Sequence, residues 1–548
     1  MPIFDKFPLA AIREKQKSAI DFIARAYDKG YRDIVISLPT GGGKSAIGAT
    51  VCNWAPDTLL GAKGGFYACT QKMLQNQMEA GLATYTSGLN NGVSIMSASS
   101  YECDVYGDCK SGRSVPAAVR RCNAGRCAYV KTKARFAAAV IGITNYPYLM
   151  TDMANSPNFA PRKVAFFDEC HTIEGQILNF VNICVDDDSL TTLVPAIKMN
   201  PRIKTLKEFV QWCTDTYVPA LKKRLAELVS DSEGDPKKAR TAEEVASLLN
   251  RVTFLVTSFG EKKCRWVFFY SDSKTGSKIQ LIKPVHAAPL AQSTLFAAAS
   301  MRVYASAFAG KKDVFCRSLG LDEEKVAWAS FSSSFPPKNR PVKCLSAGSM
   351  SRKNIDSSLP AVLKACERAL DKHLTHKGVI HCGTYKVGKL IYDALSRTQH
   401  KSRLIFPEDA ETRESAFSSH VQRADASVII SPSMMEGYDF ADDLARFQII
   451  AKVPFPYLGD KQIAEKKEED PDWYTTVALM HIVQACGRGV RHDNDWCSTY
   501  IVDTDAETLI VQNARVLPKW FIAGLSPRIA EKINSRKKVN VARDQNKC

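Results

Sequence analysis

The residues best suited to chemistry are a lysine and a serine that follow a run of glycines. Lys44 and Ser45 end the loop in DIVISLPTGGGKSAIGAT, between a predicted buried strand and a predicted helix, although Leu38 stands where the strict pattern has glycine. Glycines let backbone N–H groups turn toward a phosphate, and the helix N-terminus adds a favourable field. The lysine can pair with the β- and γ-phosphates, and the serine hydroxyl can bind Mg²⁺. The predicted phosphate loop consists of Thr40, Gly41, Gly42, Gly43, Lys44 and Ser45.

Two acidic residues follow a second apolar run, in KVAFFDECH. Asp168 and Glu169 come at the C-terminal end of this predicted strand, where parallel α/β sheets bind their ligands. We expect Asp168 to hold Mg²⁺ through its water shell and Glu169 to polarise an attacking water. Alone, such a pair is typical of a solvated strand end. Together with the loop at Lys44, it predicts an ATP-hydrolysing site.

A third segment, HIVQACGRGVRHDND, combines a glutamine with two arginines. Gln484 lies on a predicted helix, and Arg488 and Arg491 are three residues apart on one face of it. Arginines so placed can reach a γ-phosphate from across a cleft. Without the other two segments, an exposed basic helix face would be the better interpretation. With them, the pattern predicts an ATP site divided between two lobes.

Four cysteines lie close together in CDVYGDCKSGRSVPAAVRRCNAGRC. Cys103, Cys109, Cys122 and Cys127 fall within 25 residues and among charged side chains, which is unlike core packing. Four thiolates suit a metal, but the residue types alone leave both Zn²⁺ and a [4Fe–4S] cluster open. The surrounding lysines, arginines and tyrosines favour a single-stranded nucleic acid, whose phosphates need charge and whose bases stack. A solvated basic surface around a structural metal is the alternative.

The composition limits the class of protein. The chain has 548 residues, a formal net charge of +17 and 17 cysteines. This length predicts several domains, and the basic excess favours a polyanionic partner. No apolar run is long enough to suggest a membrane span, and the N-terminus is unlike a signal peptide. We therefore expect an intracellular protein, cytoplasmic in a bacterium, archaeon or virus-infected cell, with a nucleus also open.

These segments together resemble the iron–sulfur branch of superfamily 2 helicases, which includes XPD and DinG. REKQKSAIDFI resembles the entry segment of that family, with Gln16 at the adenine contact. YACTQKMLQNQ is similar to motif Ia, in which Thr70 would touch the DNA backbone, and ITNYPYLM resembles a run that gives Tyr146 a DNA-binding place. The family has Asp-Glu-Ala-His where this chain has Asp-Glu-Cys-His, so the resemblance includes His171 among the catalytic residues.

The second half of the chain carries further matches. GVIHCGTYKVGKLI resembles motif IV, with Thr384 in the DNA-backbone position, and SPSMMEGYDFADDL is similar to motif V, in which Glu436, Gly437 and Asp439 match and would lie at the nucleotide. FAAASM stands in the place of motif III, with Ser300 replacing a threonine. The order and spacing of these patterns are more specific than any one of them.

The resemblance implies an α/β fold of two RecA-like parallel-sheet lobes, with a four-cysteine cluster insertion and a mainly helical arch insertion in lobe 1. The predicted division is lobe 1 in 1–98, 139–183 and 285–338, the cluster domain in 99–138, the arch in 184–284 and lobe 2 in 339–548. Within the arch, RWVFFYSDSKTGSKIQLIKPV predicts a β-hairpin.

The resemblance also implies a function. It predicts an ATP- and Mg²⁺-dependent helicase with a [4Fe–4S] cluster, acting on single-stranded and forked duplex DNA with 5′-to-3′ polarity. We expect a monomer without a membrane partner. The alternatives are an ATP-driven remodeller of nucleoprotein or of R-loops, and a degenerate DNA-binding scaffold.

Overall fold

Two parallel β-sheets, each flanked by helices, organise the chain. The computed structural model describes residues 2–70, 72–83, 92–105, 107–112, 116–125, 127–154, 159–231, 235–261, 264–272, 276–435, 438 and 440–545. Within them, one sheet has seven strands and the other six.

The seven-stranded sheet forms lobe 1. Its spatial order is β12-β1-β11-β7-β2-β6-β3, and every neighbouring pair is parallel. The strands are β1 (Asp33–Ser37), β2 (Ala62–Cys69), β3 (Gly92–Ser94), β6 (Ile141–Asn145), β7 (Arg162–Asp168), β11 (Ala299–Ser306) and β12 (Val326–Ser330).

Helices cover both faces of this sheet. They are α1 (Glu14–Asp28), α2 (Lys44–Trp54), α3 (Lys72–Ala83), α7 (Tyr146–Ala154), α8 (Ile173–Val181), α13 (Ala288–Thr294) and α14 (Lys312–Leu319). Alternate strand residues enter two separate cores: Phe66 and Ala68 pack in one, and Tyr67 and Cys69 in the other. Strands buried on both faces need apolar residues at nearly every position, which explains their unbroken apolar runs.

The four cysteines lie in an insertion between β3 and β6 of lobe 1, called here the first excursion. It contains a two-stranded antiparallel ribbon of β4 (Glu102–Cys103) and β5 (Gly107–Asp108). Three helices follow: α4 (Cys109–Gly112), α5 (Pro116–Asn123) and α6 (Ala128–Ala138).

A second insertion, between α8 and α13 and called the second excursion, has a hydrophobic core of its own. Strands β8 (Ile183–Val185), β9 (Trp266–Asp272) and β10 (Lys278–Pro284) form an antiparallel sheet in the order β8-β10-β9, with the predicted hairpin as β9 and β10. The helices are α9 (Asp187–Leu193), α10 (Leu206–Trp212), α11 (Val218–Asp231) and α12 (Pro236–Ser258), and a π-helical turn at Cys213–Tyr217 joins α10 to α11. Helix α12 reaches the first excursion, where Lys110 Nζ lies 3.6 Å from Glu243 Oε2.

The six-stranded sheet forms lobe 2, in the order β13-β18-β17-β14-β16-β15, and its neighbouring strands are parallel. The strands are β13 (Val342–Gly348), β14 (Gly378–His381), β15 (Leu404–Ile405), β16 (Val428–Ser431), β17 (Phe447–Ile450) and β18 (Ser498–Asp503). The helices are α15 (Ile355–Asp371), α16 (Tyr385–Leu395), α17 (Arg413–Gln422), α18 (Lys461–Glu469), α19 (Pro471–Cys486), α20 (Thr504–Gln512), α21 (Lys519–Gly524) and α22 (Pro527–Gln545).

The predicted fold class, two parallel-sheet lobes with helices, is confirmed. The residue limits of the six predicted segments stay a prediction. Across the described residues, no helix combines the length and the apolar character needed to span a membrane.

Candidate nucleotide site and cysteine cluster

The glycine-rich loop joins β1 to α2 at the carboxyl edge of the lobe 1 sheet. Gly41 and Gly43 have φ angles of +75° and +80°, in the left-handed region that glycine enters without a steric cost. Gly43 is the N-cap of α2, so the helix begins at Lys44 with its first N–H groups facing the loop. This geometry is that of a phosphate-binding helix N-terminus.

Lys44 points to the acidic pair at the end of β7. Its Nζ lies 3.4 Å from Glu169 Oε1, and the lysine side chain is only 10% exposed. Glu169 itself has φ +51°, directly after the last residue of β7. A non-glycine residue in this region is uncommon, and such conformations cluster at functional sites. The loop and the acidic box therefore meet in one place, as their spacing along the chain predicts.

Asp168 is the buried carboxylate of the site. Tyr67 donates its hydroxyl to Asp168 Oδ2 over 2.9 Å, and the N–H of Glu169 donates to Oδ1 over 3.0 Å. Burial, followed by the charge of Glu169, raises the pKa of Asp168 to about 6. The hydroxyl of Ser45 contacts the same Tyr67 hydroxyl, so the two predicted Mg²⁺ ligands share a neighbour. A bound divalent cation would offset the cost of the buried charge.

Gln16 lies behind the phosphate loop. Its Oε1 accepts from the N–H of Arg13 over 3.0 Å, and its Nε2 donates to the carbonyl of Gly43 at 3.5 Å. Arg13 Nη1 also donates to the carbonyl of Gly41 over 3.1 Å. Helix α1 therefore holds the loop from behind, and an adenine contact of Gln16 stays a prediction.

A polar network joins the two lobes beside the acidic box. Ser306 Oγ lies 2.9 Å from His171 Nδ1 and accepts from Gln484 Nε2, also over 2.9 Å. His171 Nδ1 and Gln484 Nε2 are 3.2 Å apart. Both Ser306 and Gln484 are almost fully buried. Because His171 and Ser306 belong to lobe 1 and Gln484 to lobe 2, the network changes whenever the lobes separate.

The segment expected to be motif III contains Ser300, but Ser306 is the serine of β11 that lies at the nucleotide site. Ser300 lies at the start of β11, where its hydroxyl donates to the carbonyl of Leu60 over 2.7 Å, away from the nucleotide site. Ser306, at the other end of β11, holds the bridging position. In the sequence, Ser306 could have been identified as a polar residue at the end of an apolar strand, which is the pattern that identified Asp168.

The two arginines differ from the prediction. Helix α19 ends at Cys486, so Arg488 and Arg491 follow it in a loop and do not share a helical face. Arg488 donates to the carbonyls of Met435 (2.5 Å) and Tyr438 (3.0 Å). Gly487 is the C-cap of α19, so the helix ends before Arg488 and the three-residue spacing does not place the two arginines on one helical face.

The loop after α19 nevertheless lies against the phosphate loop. A Cβ added to Gly41 would come within 2.8 Å of the carbonyl oxygen of Arg491, and one on Gly487 within 2.9 Å of Thr40 Oγ1. Residues that close need glycine, because a side chain would push the lobes apart. The lobes are therefore in contact across the nucleotide site.

The remaining predicted site residues vary in position. Thr384 is the exposed N-cap of α16, with its hydroxyl accepting from the N–H of Val387, and Thr70 is partly exposed after β2. Tyr146 is fully buried and donates to the carbonyl of Asp168 over 2.7 Å, so the predicted direct DNA contact does not fit its position. Glu436, Gly437 and Asp439 lie outside the described residues.

Residues 460–473 of lobe 2, which are rich in acidic side chains, contact lobe 1 close to Asp168 and Glu169. Glu174, in the first turn of α8, contacts Lys466 Nζ and accepts from Trp473 Nε1 over 2.6 Å. Burial lowers the pKa of Lys466 to about 7. Further ion pairs join the same part of lobe 2 to lobe 1, as His286–Glu469, Lys311–Asp472 and Arg317–Asp470. Others join it to the second excursion, as Lys283–Asp460, Arg265–Glu465 and Arg265–Glu469.

The four cysteines converge in the first excursion. Cys109 Sγ and Cys127 Sγ are 3.8 Å apart, and Cys103, Cys122 and Cys127 line one cavity of about 80 Å³. Burial alone would raise the pKa of Cys127, but backbone N–H groups and the neighbouring thiols hold that pKa below its usual range. A convergent set with a stabilised thiolate fits a metal or cluster bound through sulfur.

Part of the chain matches a protein family. Residues 368–523 match the model of the helicase C-terminal domain family. The matched range lies within lobe 2 and includes Gln484, Arg488 and Arg491.

Relatives among curated proteins are DNA helicases and a related protein. The chain is 30% identical over 110 residues to the ATP-dependent DNA helicase CHL1 of Candida albicans, covering 17% of this chain and 13% of the relative. It is 26% identical over 169 residues to the Fanconi anemia group J protein homolog of Gallus gallus, covering 28% and 13%. It is 30% identical over 102 residues to the regulator of telomere elongation helicase 1 homolog of Caenorhabditis briggsae, covering 16% of this chain and 10% of the relative. The chain thus spans only a small part of the length of these relatives.

Solved structures match over nearly the whole chain. An XPD helicase superimposes with a TM-score of 0.63 at 14% identity, covering 93% of this chain and 98% of that one. Xpd4 of S. tokodaii gives 0.57 at 12% identity, covering 94% and 99%. At such identities the likeness concerns the fold.

Proposed function

We propose that this chain, which has the fold of XPD-type superfamily 2 helicases as its motifs predict, is an ATP-driven DNA helicase that translocates on single-stranded DNA. The observation that carries the proposal is the nucleotide site built from both lobes. Its phosphate loop touches the loop after α19, and Gln484 of lobe 2 bonds Ser306 of lobe 1. A site assembled in this way couples ATP binding and hydrolysis to closing and opening of the lobes.

Each residue of the site has a proposed role. The loop N–H groups and Lys44 hold the β- and γ-phosphates, and Ser45 and Asp168 hold Mg²⁺, which would neutralise phosphate charge. Glu169 orients the attacking water from the end of β7. Lys44 must leave its contact with Glu169 as the phosphates enter, which frees that carboxylate for the water. Arg488 approaches the γ-phosphate only after a rearrangement, because its guanidinium bonds backbone carbonyls of lobe 2. Arg491, whose carbonyl lies against Gly41, is the other candidate.

The finer parts of the proposal concern the strand and the cluster. We propose 5′-to-3′ movement, a forked duplex as substrate and a [4Fe–4S] cluster held by Cys103, Cys109, Cys122 and Cys127. The cluster would fix the fold of the first excursion, which would act as a wedge where the strands part. The basic residues around the cysteines support this role, since they suit a phosphate backbone.

The weaker alternatives are a remodeller without processive unwinding and a scaffold without turnover. The remodeller depended on the poorly matched motif III at FAAASM, but Ser306, at the other end of β11, supplies a polar bridge between the lobes. The scaffold is disfavoured because Lys44, Asp168 and Glu169 lie together in one buried site.

The test is strand displacement with anaerobically purified protein, on duplexes that carry either a 5′ or a 3′ single-stranded tail. We expect ATP-dependent opening of the 5′-tailed duplex alone and none by Lys44→Ala, which should still bind single-stranded DNA. Absorbance near roughly 400 nm and iron content report the cluster.

Each other outcome contradicts a definite part of the proposal. Opening of the 3′-tailed duplex alone would reverse the polarity. ATP turnover without displacement of either duplex would favour the remodeller. Unchanged ATP turnover by Lys44→Ala would refute the assignment of the nucleotide site. Zinc in place of iron would refute only the assignment of a [4Fe–4S] cluster.

A further inference from the structure

A basic groove crosses lobe 2 on the side of its edge strand. It lies between β13 and α15, with β18 beneath, and has a volume of about 360 Å³. Its lining residues are Leu345, Ala347, Ala361, Lys364, Ala365, Arg368, Ala369, Lys372 and Tyr500. None of these residues belongs to the nucleotide site described above, and the groove is unrelated to the cysteines.

The floor of the groove is apolar and smooth. Ala361, Ala365 and Ala369 recur every fourth residue of α15 and form one row along the helix. Small side chains in such a row let a second helix approach closely, because axes come as near as roughly 8 Å only where side chains are small. Leu345 of β13 is 42% exposed beside this row. Together with the exposed Ala361, this leucine gives the groove an apolar contact for a partner side chain.

The rim of the groove is cationic. Lys364 and Arg368 of α15 and Lys372, the C-cap of that helix, form a row beside the alanines, and all three are exposed. Lys343 reaches over the Tyr500 ring from the β13 side, 5.3 Å from its centroid. Throughout the described part of the chain, none of these four cations forms an ion pair with a carboxylate. The groove therefore presents concentrated positive charge that the protein itself does not neutralise.

We propose that this groove docks an acidic amphipathic helix of a partner protein. Glutamates or aspartates spaced four residues apart on that helix would face Lys364, Arg368 and Lys372 in register, since the two helices share one spacing. Its small or aliphatic face would pack on Leu345 and the exposed Ala361, since Ala365 and Ala369 are only 8% and 2% exposed. This helix-in-groove arrangement combines apolar anchors with charge that fixes orientation.

Single-stranded nucleic acid fits the groove less well. Sequence-independent strand binding needs exposed aromatic rings on which bases stack. The one aromatic lining residue, Tyr500, is 3% exposed and covered by Lys343. Phosphates could meet the cations, but the alanine floor offers bases nothing comparable to a ring.

The experiment measures binding of a labelled helical peptide of about twenty residues by fluorescence anisotropy, with the full-length protein. The peptide carries glutamates four apart and leucine and alanine on the adjacent row; a second peptide has lysines in place of the glutamates. The test variant is Lys364→Glu/Arg368→Glu. The matched control is Arg397→Glu/Lys401→Glu, which reverses an exposed arginine and an exposed lysine elsewhere in lobe 2. ATP turnover checks that both variants are folded.

We expect the acidic peptide to bind the wild type and the control alike, more weakly as salt is raised. The test variant should lose at least about tenfold in affinity, since two attractions become repulsions, and should gain affinity for the lysine peptide. That exchange of preference would identify the contact, because a misfolded variant would bind neither. The proposal is overturned if the acidic peptide does not bind, if the control loses as much as the test variant, or if an oligothymidylate competes at the groove more strongly than the peptide does.

Discussion

Replacing Ser306 by alanine should uncouple the two lobes while leaving the phosphate loop intact. The serine hydroxyl lies 2.9 Å from His171 Nδ1 and 2.9 Å from Gln484 Nε2, and the residue is fully buried. Its hydroxyl makes no hydrogen bond to a described residue of the phosphate loop, although its carbonyl accepts from the N–H of Leu38 just before that loop. The change removes one oxygen atom from the boundary between the lobes and alters nothing else in size.

The magnitude follows from the two hydrogen bonds to His171 and Gln484; the hydroxyl also donates to the nearby carbonyl of Phe308 over 3.3 Å. A buried neutral hydrogen bond contributes about 0.5–1.5 kcal/mol net, so two contribute roughly 1–3 kcal/mol. Only one of them, to Gln484, crosses between the lobes, but His171 and Gln484 both lose a partner. A coupling energy of about 1–3 kcal/mol corresponds to about 5- to 150-fold. We therefore expect Ser306→Ala to lower the ratio of DNA-stimulated to unstimulated ATP turnover by a factor in that range.

The assay is steady-state ATP turnover at saturating ATP, with single-stranded DNA titrated in. Ser300→Ala is the matched control, since it is the same substitution in the same strand but at the end remote from the nucleotide. It should behave as the wild type does. A double-mutant cycle with Gln484→Ala isolates the bridge, and the double variant should be little worse than Gln484→Ala alone.

Two results would refute this reasoning. If Ser306→Ala and Ser300→Ala give the same stimulation ratio, the bridge does not transmit closure of the lobes. If the effects of Ser306→Ala and Gln484→Ala simply add in free energy, the two side chains act independently. A loss of stimulation together with a lowered melting temperature would instead mean that the serine stabilises lobe 1.

Three further predictions concern other parts of the molecule. Glu174→Ala should lower the unfolding free energy by about 3–5 kcal/mol, because it leaves Lys466 buried without its partner; urea unfolding measures this, and the added change Lys466→Met should restore most of the loss. Cys109→Ser should lower bound iron per chain, with the exposed Cys184→Ser as control; equal iron in both would exclude Cys109 as a ligand. Gln16→Ala should raise the KM for ATP by about 3- to 10-fold, from one lost hydrogen bond to the loop, and an unchanged KM would assign Gln16 a purely structural place in α1.

Much of the nucleotide site follows from local sequence. Asp168 and Glu169 were predictable because they end an apolar strand, and Lys44 because it follows another apolar strand through a glycine-rich loop. The carboxyl ends of parallel strands meet at one edge of the sheet. Their proximity in the structure, 3.4 Å between Lys44 and Glu169, needed only that both strands belong to one sheet. The fold class followed from the same alternation of strands and helices.

The remainder depends on tertiary geometry that no short segment contains. Arg488 and Arg491 have helical spacing, but Gly487 ends the helix before them. Tyr146 has the chemistry to stack on a base, yet its position after β6 buries it against Asp168. Ser306 is one of several serines in β11 and its flanks. Only the packing of α19 against lobe 1 shows which of them meets Gln484.

The order of the strands in lobe 1 determines when that lobe can fold during synthesis. Strand β1, which ends at Ser37, is hydrogen-bonded on both sides to strands that begin at Ala299 and Val326. At ribosomal speeds these partners emerge on the order of tens of seconds later. Until then β1, with the phosphate loop attached, has two unpaired edges open to other chains. The second excursion, which has its own core, can fold in the interval. The lobe 1 sheet can therefore close only after Val326–Ser330 have been synthesised, later than the sheet of the second excursion, which is complete at Pro284.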